Sequence, residues 1–311
     1  KRTDANQKPP DEKNMSVICT VTSKSFHGGT GALINSLVRA NFAGHLIVGY
    51  QDELPDWHWN AKHELANYGI SLISQELPDN ILPHYQKVNL LERALEIYPG
   101  SKGFHIDSDI IINERWSFFD RWAENGVAIC SDVNFLHMTE NHPMRSYWRD
   151  LLQANGFSVR PRTGYANSGF LGIKSEFGQL LTIWRDLIEI KSSQRGKSIN
   201  KLKKEPGFIT FDQDLLNAAL MATDVPVSLV GHEGMSFNGS LGYMVHPVGR
   251  RKPWNKGFLK DLVLYGRPLP LAARQYWKHV DHPVKVASDF EQTVARLEMD
   301  ATAALSRLIA R

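Results

Sequence analysis

The chain has 311 residues, 42% of them hydrophobic and 22% charged, with a formal net charge of +3. That length admits one large α/β domain or two small ones around a substantial core, and the near-neutral balance excludes a nucleic-acid footprint spread over the whole chain. Cys19 and Cys130 are too few for a disulfide-stapled scaffold; both lie in apolar runs and point to core positions in a reducing compartment. No run approaches the roughly 18 apolar residues of a membrane span and no signal peptide opens the chain, so a cytoplasmic location is expected. Lys1 is not an initiator Met, which leaves an upstream anchor open. The charge is uneven. Residues 250–311 hold 12 Lys/Arg against 6 Asp/Glu, a basic face suited to a phosphate-rich ligand, to peripheral contact with an anionic membrane, or simply to solvent.

Residues 1–15 are polar, carry Pro9-Pro10 and read as a poorly ordered arm. Ser16–Thr22 follows as a buried strand. The loop Ser23–Gly31 contains Gly28-Gly29-Thr30-Gly31 and leads into a helix through about Asn41, with Leu33, Ile34, Leu37 and Val38 on one face. Its glycines match neither the dinucleotide-binding nor the P-loop spacing, which favours a tight turn over a phosphate cradle. His45–Tyr50 and Ile70–Ser74 read as further strands, and Tyr85–Tyr98 as a helix with Lys87 near its start. This βαβ alternation predicts a mostly parallel sheet with its site at the C-terminal edge.

The chain is organised around Gly103–Ile112, where one apolar run enters Asp107-Ser108-Asp109 and another leaves it. Two carboxylates two residues apart at a strand end are hard oxygen ligands for Mg²⁺ or Mn²⁺, though the same pattern also makes an ordinary Asx-type turn. Asp132 closes a buried strand over Gly126–Ser131, and a short helix spans about Met144–Ala154. Asn167-Ser168 stands at the entry to another β-run, where it suits a sugar hydroxyl or a turn equally. Phe177–Ile190 is an amphipathic helix. Lys191–Glu205 carries six Lys/Arg and one acid, as either a solvated linker or a flap over an anionic substrate. Asp212-Gln213-Asp214 opens the next helix. His246, Gly249 and Lys252 then combine an imidazole, a flexible backbone and an ammonium. A capping box of Ser288 and Glu291 starts the last helix, whose stripe of Phe290, Val294, Leu297, Ala301, Leu305 and Leu308 should pack on its own domain or on a second subunit.

In this order the segments resemble the GT-A fold nucleotide-sugar glycosyltransferases, most nearly the retaining galactosyl/glucosyltransferase and glycogenin family (glycosyltransferase family 8). Asp107-Ser108-Asp109, Asp132, Asn167-Ser168-Gly169, Asp212-Gln213-Asp214, His246, Gly249 and Lys252-Pro253-Trp254 carry the resemblance over about residues 16–256. It implies an α/β GT-A catalytic domain at 16–256 and a helical extension at 257–311 that packs on it. It also implies Mn²⁺ (or Mg²⁺) on Asp107, Asp109 and His246, bridging the diphosphate of a sugar nucleotide, which would be a UDP-sugar. Gly249 and Lys252 would touch the phosphates. Thr20, Thr22, Lys87, Ser108, Asp132, Asn167, Ser168 and Asp212 would line the donor, with Gln213 beside the anomeric carbon and Gln213 and Asp212 as the catalytic pair. Thr22-Ser23-Lys24-Ser25-Phe26 departs from the family's acidic and aromatic residues after the first strand, which bears on the choice of base. The resemblance further implies hexosyl transfer with retention to an acceptor the sequence does not identify. Two rivals stay open: an Asp-based metal-dependent phosphohydrolase, and a non-catalytic carbohydrate-binding protein.

Overall fold

A computed structural model describes residues 15–79, 81–193, 206–237, 239–249 and 251–309. Most of the predicted arm, residues 194–205 of the basic loop, and Arg250 lie outside the described residues. The chain opens with β1 (Ser16–Thr22), α1 (His27–Arg39), β2 (Gly44–Tyr50), α2 (His58–Ala66), β3 (Ile70–Glu76), α3 (Pro83–Ile97) and β4 (Lys102–Ile106). It continues through β5 (Ile111–Ile112), α4 (Trp116–Glu124), β6 (Val127–Ser131), α5 (Pro143–Ala154), β7 (Ala166–Lys174), α6 (Gln179–Ser193), α7 (Phe211–Met221), β8 (Val227–Val230) and β9 (Met244–Val245). Three helices close it: α8 (Phe258–Tyr265), α9 (Leu271–Tyr276) and α10 (Asp289–Ile309).

Seven strands form a mixed sheet in the order β3-β2-β1-β4-β7-β6-β8. The first four are parallel, β7 runs antiparallel to both β4 and β6, and β8 is parallel to β6. Strand order reverses at β1, so the loops after β1 and β4 diverge and leave a crevice between them at the carboxyl edge. Apolar side chains fill both faces. Leu91, Leu171, Trp184 and Leu215 belong to the cluster on one side, and Leu33, Leu46, Phe104 and Phe119 to that on the other. Burial on both faces explains why β1 and β6 read as near-continuous apolar runs rather than alternating ones.

The glycines after β1 serve packing. The helix begins at His27, so Gly28, Gly29 and Gly31 lie inside α1 rather than in the predicted loop. A Cβ on Gly31 would come within 2.0 Å of Val286, and one on Gly29 within 2.7 Å of the Ser108 carbonyl. Close contact with the C-terminal segment outweighs the ~1 kcal/mol of helix propensity each glycine forfeits. α2 and α4 were not expected as helices. In α4, Trp116, Phe119, Trp122 and Ala123 are buried at helical spacing.

The last 50 or so residues lie against α1 and the site-bearing loops. Asn35 of α1 donates to the carbonyls of His279 and Val284 and accepts from the Val284 amide, each at 2.7 Å. Trp254 meets Phe26 and Tyr276 with ring centroids 5.6 and 5.5 Å apart. α10 docks on its own chain by a face other than the predicted stripe. Its buried residues are Gln292, Ala295, Met299 and Thr302, while Phe290, Leu297 and Leu308 of the predicted stripe are exposed. Ala295 and Met299 are small or pliable enough to fit against Phe258, Tyr276 and Trp277, and that contact sets the helix's rotation. Among the described residues no helix is long and apolar enough to cross a membrane.

Candidate active site

The crevice between β1 and β4 is a cavity of about 370 Å³ lined by Thr22, Ser23, Phe26, Pro83, His84, Lys87, His105, Asp107, Ser108, Asp109, His246 and Lys252, among others. A two-stranded ladder assembles its centre. β5 begins two residues after Asp109, β9 ends one residue before His246, and Ile111 pairs with Val245. Residues far apart in sequence are thereby held on one side of the cavity. Gly169, on β7, lies against His246 and Asp107 without a side chain. A Cβ there would stand 2.6 Å from His246 Cε1 and 3.0 Å from Asp107 Oδ2.

Asp107, Asp109 and His246 each offer a ligand atom, all within 4.8 Å of one another. His246 Nε2 is 3.8 Å from Asp107 Oδ2 and 3.5 Å from Asp109 Oδ1. Those gaps are long for direct hydrogen bonds and suit donors arranged around a small cation. The other oxygen of each carboxylate is held by the protein. Asp109 Oδ2 accepts from Lys252 Nζ at 2.6 Å. Asp107 Oδ1 accepts from His105 Nε2 at 2.9 Å and from Lys87 Nζ at 3.4 Å. Burial opposes ionisation of Asp107, but the Lys87 ammonium and the His105 hydrogen bond outweigh it and hold the carboxyl well below the usual range. Lys87 is likewise buried, yet its Asp107 and Asp212 neighbours keep it protonated well above its ordinary value.

Lys87 links the cavity to a buried polar layer. Its Nζ lies 3.0 Å from Asp212 Oδ2 and donates to the Ser168 hydroxyl and carbonyl, each at 3.3 Å. Ser168 donates its hydroxyl to Asp212 Oδ2 at 2.9 Å and its amide to Gln213 Oε1 at 3.1 Å. Asn167 donates to Asp132 Oδ2 at 2.7 Å and accepts from the Gly169 amide at 2.8 Å. The sequence-predicted residues therefore fall into two connected sets: Asp107, Ser108, Asp109, His246, Lys252, Lys87 and Thr22 at the cavity, and Asp132, Asn167, Ser168, Asp212 and Gln213 in the layer joined to it through Lys87.

Thr22 Oγ1 is shared with Thr30 Oγ1 at 2.6 Å. Thr20 is fully buried in β1, and Gly249 lines a neighbouring cavity of about 420 Å³ that shares Lys252. Asp214 lies deeper. Burial pushes it up to about 7, against hydrogen bonds from Tyr165 and the amides of Ile209 and Thr210. Sequence reasoning missed His105, Phe26, Pro83 and His84. Only His105 carried a usable signal, two residues before Asp107 on an extended strand and hence on the same face.

This architecture is the GT-A arrangement, a mixed sheet flanked by helices, and solved glycosyltransferases share it. The glycosyltransferase GlyE of Streptococcus pneumoniae TIGR4 is 15% identical, with a TM-score of 0.55 over 93% of this chain and 64% of its own. The bifunctional glycosyltransferase WbbM is 14% identical, with a TM-score of 0.51 over 93% of this chain and 52% of its own. The galactosyltransferase LgtC, solved with donor and acceptor sugar analogues, is 16% identical, with a TM-score of 0.50 over 89% of this chain and 99% of its own. The chain thus spans less than two thirds of GlyE and about half of WbbM. No protein-family model and no curated relative matches the chain.

Proposed function

We propose that the protein is a metal-dependent glycosyltransferase that moves a hexose from a nucleotide-diphosphate sugar, a UDP-sugar first among candidates, to a separate acceptor. One observation carries this: the β5–β9 ladder gathers Asp107, Asp109 and His246 on one side of the cavity in the crevice of a GT-A fold. The donor set of two carboxylates and one imidazole fits Mn²⁺ or Mg²⁺. A bound divalent ion supplies Lewis acidity against the negative charge on a departing diphosphate. Lys252 adds a fixed positive charge on the same wall. The buried Asp132–Asn167 and Ser168–Asp212 pairs, each already hydrogen bonded and so rigid, back the cavity through Lys87 and are the residues the resemblance gives to the donor sugar. Gln213 offers an amide oxygen and is a poor nucleophile. The mechanism we favour is therefore retaining, with the acceptor hydroxyl attacking from the leaving-group side and passing its proton to the departing phosphate. A glycosyl adduct trapped on Asp212 or Asp214 would overturn that part alone.

A non-catalytic reading draws on the Lys252–Asp109 and Lys87–Asp107 pairs, which satisfy the acids without any ion. A screen of nucleotide sugars separates the two. Nucleotide release should require Mn²⁺ and should vanish in Asp109→Ala. Phosphate release from simple esters would instead indicate a phosphohydrolase.

A further inference from the structure

The imidazole of His105 lines the cavity and has no part in the roles proposed above. It is 1% exposed, and its Nε2 faces Asp107 Oδ1. A carboxylate only accepts, so that bond places the proton on Nε2; Nδ1, buried, has no partner among the described residues. The carboxylate is divided by its surroundings: Oδ1 toward His105 and Lys87, Oδ2 toward His246. Lys87 alone fixes it poorly, being 3.4 Å from Oδ1 and closer to Asp212.

We propose that His105 is a positioning residue that locks the Asp107 carboxylate, so that a single oxygen, Oδ2, is presented to a cation shared with Asp109 and His246. The inference rests on the metal-centre reading above and adds the selectivity of that centre. A carboxylate free to rotate can offer both oxygens at once, which suits the larger coordination shell of Ca²⁺. One oxygen held by an N–H leaves the other as a one-point ligand, which suits the smaller octahedral shell of Mg²⁺ and Mn²⁺.

Binding of Mn²⁺ and of Ca²⁺ to the whole chain, followed by calorimetry without any sugar nucleotide, tests this. His105→Leu should weaken Mn²⁺ binding by about 10- to 100-fold, the usual effect of removing a partner behind a metal ligand, and should narrow the preference for Mn²⁺ over Ca²⁺. His105→Gln, whose amide N–H reaches the place of Nε2, should recover most of both. His105→Asn, one methylene shorter, should not. A role confined to packing would leave Gln and Asn variants alike. Mn²⁺ affinity within twofold of wild type in His105→Leu, or equal behaviour of the Gln and Asn variants, overturns the proposal. Should wild type bind Mn²⁺ and Asp109→Ala not, while His105→Leu binds normally, this inference alone falls. Should wild type bind no Mn²⁺, the metal centre falls with it.

Discussion

Lys252 sets one charge against another in the lining of the cavity. Its ammonium sits 2.6 Å from Asp109 Oδ2, so its charge opposes a cation on the same carboxylate while favouring an anionic leaving group. The two roles separate on substitution. Lys252→Met should bind Mn²⁺ at least as tightly as wild type by calorimetry, yet release nucleotide about 10²-fold more slowly, the order of loss for one charge-stabilising group. Asp214 gives a second test, through pH. Its carboxyl rises from 3.8 to about 7 on folding, so between those values the folded chain holds a proton that the unfolded chain has lost. Its contribution therefore falls as pH rises from about 4 to about 7, by a few kcal/mol at most. In urea unfolding, Asp214→Asn should gain stability relative to wild type across that window; parallel curves would contradict the assignment. The residues of the Asp-x-Asp turn were legible in the sequence because their chemistry is local. His105 was passed over despite its two-residue spacing from Asp107, because a lone histidine in an apolar strand reads first as a core residue.

Among the elements, β7 and α1 show how glycines hold the site open. Gly169→Ala would drive a methyl into His246, whose side chain must move away from the carboxylates. Loss of Mn²⁺ binding with only a small change in unfolding temperature is the expected result, and unchanged binding would show that His246 is not needed where it stands. Gly31→Ala tests a different contact. Val286 stands where the new Cβ would be, so overpacking of about 1–3 kcal/mol should exceed the ~1 kcal/mol gained in helix propensity, and thermal unfolding should fall. Helical and strand periods made most elements readable. The purpose of the Gly28–Gly31 run was not, because its contacts are with Ser108 and with residues beyond 250. The rotation of α10 was also hidden. Its stripe named an apolar face, and the docking surface selected another.

At the scale of the molecule, the fold brings four distant segments to one crevice: the ends of β1 and β4, the start of α3, and the stretch after β9. Sequence order alone indicated a mostly parallel sheet and the motif-bearing segments, whereas the antiparallel β7 and the β5–β9 ladder became visible only when the chain closed on itself. A cation that binds only this closed form must stabilise it by mass action, so saturating Mn²⁺ should raise the unfolding temperature of wild type and leave Asp109→Ala unmoved. The most direct test of the central claim is nucleotide release from a panel of UDP-hexoses with Mn²⁺ or with chelator. The account predicts release with Mn²⁺ from at least one donor, abolished by chelator and by Asp109→Ala. Release that persists in both, or none from any donor by a protein that binds Mn²⁺ and UDP, would contradict it.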